Sequence, residues 1–126
     1  MATFNTGQVL TAAAMNSIAN ITLRAVTGTS DTFVLADADN KLITYASTSA
    51  TTITIPPESS VTFTNGSVIN IIKIGASGTC TVVQGSGVTI SSAGAVSTSP
   101  TITAAFKAAS CIKVGTNSWY VIGGIG

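Results

Sequence analysis

At 126 residues the chain is the size of one domain, and 45% of it is apolar while only 7% is charged, against about 25% charged in a typical soluble domain. The five basic and four acidic residues give a net charge of +1 without a cluster, which excludes the basic footprint of a nucleic-acid binder. No apolar run approaches the roughly 20 residues of a membrane span, so membrane insertion is not expected.

In chain order, residues 1–25 form an N-terminal anchoring segment distinct from a β-rich domain over residues 26–126. The opening lacks a basic stretch followed by a continuous apolar core, so synthesis in the cytoplasm is expected. Thr11 is a suitable N-cap for a short helix over Ala12 to Asn20, whose spacing lines up Leu10, Ala14, Ile18 and Ile21. A helix this short is marginal in water, so its stripe should be docked on its own domain or on a neighbouring subunit.

Beyond Val26, β-branched residues punctuated by Gly, Asn, Ser and Pro predict nine short strands, near residues 32–35, 41–45, 51–55, 67–74, 79–83, 88–91, 101–106, 111–114 and 119–122. Thr51-Thr52-Ile53-Thr54-Ile55 alternates as a half-buried strand does, and Pro56 and Pro57 should end it by removing ladder donors. Asn65-Gly66 predicts a tight turn between neighbouring strands, and Gly75 to Gly78 another. Strands about every 10 residues without intervening helices point to an all-β fold, a small antiparallel β-sandwich or barrel-like domain preceded by the helical segment. No sustained repeat period is visible, which argues against a long solenoid while leaving a few β-helix-like turns conceivable.

The sequence contains no histidine, and with it go the commonest general base and metal ligand. Asp37 and Asp39 are the one close pair of acids, and Asp37-Ala-Asp39-Asn40 reads more simply as an Asx-rich turn than as a calcium or glycosidase site. Cys80 and Cys111 fall in separate strands; a disulfide is geometrically open to them, and buried free thiols suit cytoplasmic synthesis better. Gly85-Ser86-Gly87 precedes a strand and lacks the context of a phosphate loop. No catalytic, cofactor-binding or metal-binding residue is therefore assigned, and an enzyme is not expected. Trp119 and Tyr120 are neighbours on a strand and point to opposite faces; core burial is the simpler reading for each, and either could be an exposed contact. Phe4, Phe33, Phe63 and Phe106 are assigned to the core.

The stretch Phe4-Asn-Thr-Gly-Gln-Val-Leu-Thr-Ala-Ala-Ala-Met15-Asn16 resembles the opening of many tailed-phage tail and fibre proteins. Asp39 to Tyr45, Ala50 to Pro57, Phe63 with Gly66, Val82 to Ile90 and Lys113 to Trp119 resemble the small β domain that recurs in phage virion proteins. The resemblance implies a homotrimer of β domains fixed by an N-terminal anchor. The short chain favours a knob, head fibre or decoration subunit over a long-reach fibre. The expected function is thus that of a virion surface structural protein, a capsid decoration or cement subunit or a short head or tail fibre. Its partners would be copies of itself and the major capsid or tail proteins, with Phe4, Val9, Leu10, Met15 and Ile18 as anchoring residues. The alternative is a tail-associated module that recognises a host-surface glycan through Trp119 or Tyr120.

Overall fold

The computed structural model describes residues 21–125. They form an all-β fold of eleven strands in two sheets, with one turn of 3-10 helix at Leu35–Ala38. The strands are β1 (Thr22–Val26), β2 (Ser30–Thr32), β3 (Lys41–Tyr45), β4 (Thr51–Ile55), β5 (Val68–Lys73), β6 (Cys80–Gln84), β7 (Thr89–Ser92), β8 (Ala95–Val96), β9 (Thr101–Ile102), β10 (Ala108–Gly115) and β11 (Ser118–Gly123). The expected helix and the expected anchoring residues Phe4, Val9, Leu10, Met15 and Ile18 lie outside the described residues. The expected segment boundary after Ala25 falls inside β1, which pairs with β3 from Thr22 onward.

The large sheet runs β1-β3-β5-β10-β11-β7-β8 and the small sheet β2-β4-β6-β9. From β1 to β6 the chain alternates between the two, so odd strands stack on odd and even on even, and every pairing within this part is parallel. The expectation of antiparallel sheets is corrected: the sheets are mixed, and among β1 to β6 they are parallel. The physical reason is that each loop there changes sheet instead of folding back as a hairpin, so the chain returns to a sheet in the direction it left. Antiparallel pairing enters where β10 lies against β5 and β11, where β9 meets β6 and where β8 folds back on β7.

The stacking extends to the loops. Tyr45 pairs with Lys73 and Thr51 with Cys80, so the loop after β5 lies on the loop after β3. A side-chain carbon on Gly75 would sit 2.2 Å from the Ser47 carbonyl oxygen, and one on Gly78 2.5 Å from that of Ser49. Only glycine admits such an approach of two backbones. Gly66, with φ +90, makes the expected turn, but it leads out of the long loop after β4 and into β5 and does not close a hairpin.

One core fills the space between the sheets. Ile43, Ile69, Ile71, Cys111 and Val121 face it from the large sheet, Ile53, Ile55, Val82 and Ile102 from the small one, and Phe33 and Phe63 from the loops. The residues alternating with these point outward, as the period of 2 requires.

Candidate functional site

Most of the ionic side chains are turned inward; Asp39 and Lys107 are exposed and Lys41 is half-buried. Arg24, on β1, reaches Asp37 through Nε to Oδ1 at 2.9 Å and Nη2 to Oδ2 at 3.1 Å, and reaches Asp31 through Nη1 to Oδ1 at 3.1 Å and Nη2 to Oδ2 at 2.7 Å. The Tyr45 hydroxyl donates to Asp31 Oδ2 at 2.8 Å and the Val34 amide to Asp37 Oδ2 at 2.8 Å. All the carboxylate oxygens of this cluster thus accept a hydrogen bond. Hydrogen bonding to Asp31 raises the Arg24 pKa despite partial burial, while burial first and the Asp31 charge second push the Tyr45 phenol far above its ordinary range. This arrangement clamps β1, β2, the 3-10 turn and β3 together. Asp37 does lie in the expected turn, and its second role as an ion-pair partner of Arg24 carries no local sequence signal.

Two lysines are buried as well. Lys113 donates from Nζ to Glu58 Oε1 at 3.0 Å and to the Phe63 carbonyl at 2.5 Å. Lys73 donates to the carbonyls of Gly75 and Ser77, tying down the loop that follows β5. Cys80 and Cys111 are free and buried; burial raises both thiols, that of Cys111 to about 12. Among the described residues no group of three His, Cys, Asp or Glu side chains could hold a metal ion, and no helix is long and apolar enough to cross a membrane.

With these groups inside, the outward strand positions of both sheets carry no charged side chain, and the two faces differ. The small sheet presents hydroxyls: Ser30, Thr52, Thr81 and Thr101 are in register across all its strands. The large sheet presents an apolar face, on which Leu23, Leu42, Asn70, Ser110 and Ile122 form one row and Val68, Ile112, Tyr120, Ser91 and Val96 another. No charged side chain occupies an outward position of its strands. A groove of about 370 Å³ crosses it between Ile21, Leu42, Asn70 and Ile122.

The aromatic residues divide sharply. Trp119 is 1% exposed and meets the Phe63 ring edge-on at 5.3 Å, so its candidacy as an exposed contact is corrected: the pleat of β11 turns it into the core. Tyr120, its neighbour, is 49% exposed on the apolar face. Phe33 and Phe63 are core residues as expected, whereas Phe106 is 77% exposed. Phe106 sits at φ +66 with its amide bonded to the Lys73 carbonyl, a conformation rare for a bulky residue, and the tight entry into β10 points its ring away from the core. Compared with protein-family models, curated proteins and solved structures, the chain matches none.

Proposed function

We propose that this protein is a structural subunit of a bacteriophage particle. In this reading it is a capsid decoration or cement protein, or a short head or tail fibre, acting as a homotrimer on the virion surface. Residues 1–20 would supply a short helical anchor, with Phe4, Val9, Leu10, Met15 and Ile18 seated on a major capsid or tail protein. The observation that carries the reading is the internal use of the ionic side chains: Arg24, Asp31, Asp37, Glu58, Lys73 and Lys113 are committed to clamps. A domain with so little outward charge suits a fixed place in an assembly better than free solution. The phage-like residue patterns supply the kind of assembly.

The test is binding of the full chain to particles of the phage that carries it. Wild-type protein should co-sediment with particles stripped of it, and an electron-microscopy map should show it at symmetry-related positions. Leu10→Asp with Ile18→Asp should abolish binding and leave the β domain folded. Undiminished binding by that variant, or absence of the chain from purified particles, would overturn the proposal.

A second reading, a host-glycan module, draws on Tyr120, which stands half-exposed with Ser91 beside it. It predicts glycan-array binding that Tyr120→Ala removes, made useful by multivalency.

A further inference from the structure

The outer face of the large sheet is built unlike any other surface of the described residues. Its residues Leu23, Ile122 and Tyr120 are 68%, 54% and 49% exposed, and no charge breaks it up. The small sheet faces outward with threonines, whose β-branched, hydroxyl-bearing side chains suit a strand that meets water. Two outer faces of one core thus carry two different solvents in their composition, water for one and protein for the other.

We infer that this apolar face is buried against the same face of other copies of the chain, the sheets turned toward one shared axis. The inference rests on the oligomeric reading above and supplies its interface. Size favours a copy over the chain's own N-terminal segment. Strands about 4.8 Å apart and about 3.3 Å per residue give this sheet a face on the order of 500 Å² in projection. The side chains standing on it raise the accessible area toward the roughly 800 Å² per partner of a stable interface. A helix from Ala12 to Asn20 would be about 14 Å long and about 10 Å wide, and would cover only about a third of it. Chemistry also favours a copy. A partner with ordinary surface charge would have to bury unpaired ions against Leu23, Leu42 and Ile122, whereas an identical face brings none. The half-exposed Tyr120 supplies the aromatic anchor that such interfaces favour.

Sedimentation equilibrium of the full chain tests this. Wild type should sediment as an oligomer at micromolar concentration. Tyr120→Asp with Ile122→Asp should sediment as a monomer with an unchanged far-ultraviolet spectrum, while Thr52→Asp on the opposite face should sediment as wild type. Should the double aspartate variant unfold, the milder pair Leu23→Ser and Ile122→Ser takes its place, with a dissociation constant expected at least tenfold higher than that of wild type. A monomeric wild type, or an oligomer that these pairs do not weaken, overturns the inference. Particle binding measured in parallel separates the two proposals: a wild-type monomer that binds particles sinks the interface and the trimer but leaves the place on the virion, and an oligomer that ignores particles, yet is dispersed by these substitutions, sinks the virion reading alone.

Discussion

Arg24 and Asp37 form a two-pronged pair, Nε to Oδ1 and Nη2 to Oδ2, in which the carboxylate is fully buried and the guanidinium keeps 27% of its side-chain surface in water. The pair joins β1, the edge strand of the large sheet among the described residues, to the turn before β3. Asp37→Ala removes the acceptor of both the Arg24 fork and the Val34 amide. Breaking a buried pair costs about 3–5 kcal/mol, and the partial exposure of Arg24 brings the expected loss down to about 2–3 kcal/mol. Urea unfolding of Asp37→Ala measures it, and a change below about 0.5 kcal/mol would show that the clamp is ornamental.

Lys113 and Glu58 predict an asymmetry. Lys113 is 3% exposed at its side chain and Glu58 29%, so removing the acid strands a buried ammonium, whereas removing the base leaves an acid that can turn to water. Glu58→Ala should therefore lose about 2–3 kcal/mol. Lys113→Met keeps the volume, sacrifices the bond to the Phe63 carbonyl, and should lose less than Glu58→Ala. Parallel denaturant titrations of the two variants decide the order.

Much of this fold was legible in the sequence because a period of 2 shows which residues point inward. Thr51 to Ile55 and Val88 to Ser91 alternate, and they became β4 and most of β7. The pairing direction was not legible, since alternation is the same for parallel and antiparallel partners and only the loops decide. The stack of Ile43-Thr-Tyr45 on Ile71-Ile-Lys73 is one step of a repeat that runs for three turns, β1-β2, β3-β4 and β5-β6, and shares few identical residues, so no period stood out. The inward lysines were hidden for a different reason. Lys73 and Lys113 occupy core positions of their strands, yet the carbonyls that satisfy them come from loops whose path the sequence does not disclose. Phe106 misled because hydrophobicity alone cannot report a left-handed backbone.

The loop stacking gives the third prediction. Gly75→Ala forces a carbon into the backbone of Ser47 and Ala46, where no flexible side chain can move aside. Overpacking of this kind costs about 1–3 kcal/mol, and a contact against main chain belongs at the upper end. Gly28, with open space around it, is the control: Gly28→Ala should leave the melting temperature within about 2 °C of wild type. Equal melting temperatures for the two variants would mean that the loops do not lie on one another.

The last prediction concerns alkaline pH. The Cys111 thiol is raised by burial from its ordinary value near 9.0 to about 12, so the unfolded chain releases this proton before the folded one does. A raised folded-state value contributes stability that is whole below pH 9 and declines as pH climbs toward 12, because the unfolded state alone gains from ionising. The raised Tyr45 phenol and Cys80 thiol act in the same direction. Stability should therefore be insensitive to these groups from pH 7 to 8.5 and fall steadily above pH 9. Cys111→Val removes one contributor, so its unfolding free energy should drop less between pH 8 and pH 11 than that of wild type, by about 2–3 kcal/mol. The same burial makes the thiol inert in the folded state: Ellman's reagent should modify Cys111 in denaturant and spare it in native buffer at pH 8. Rapid native labelling, or parallel pH profiles for wild type and Cys111→Val, would contradict a proton held this far inside the core.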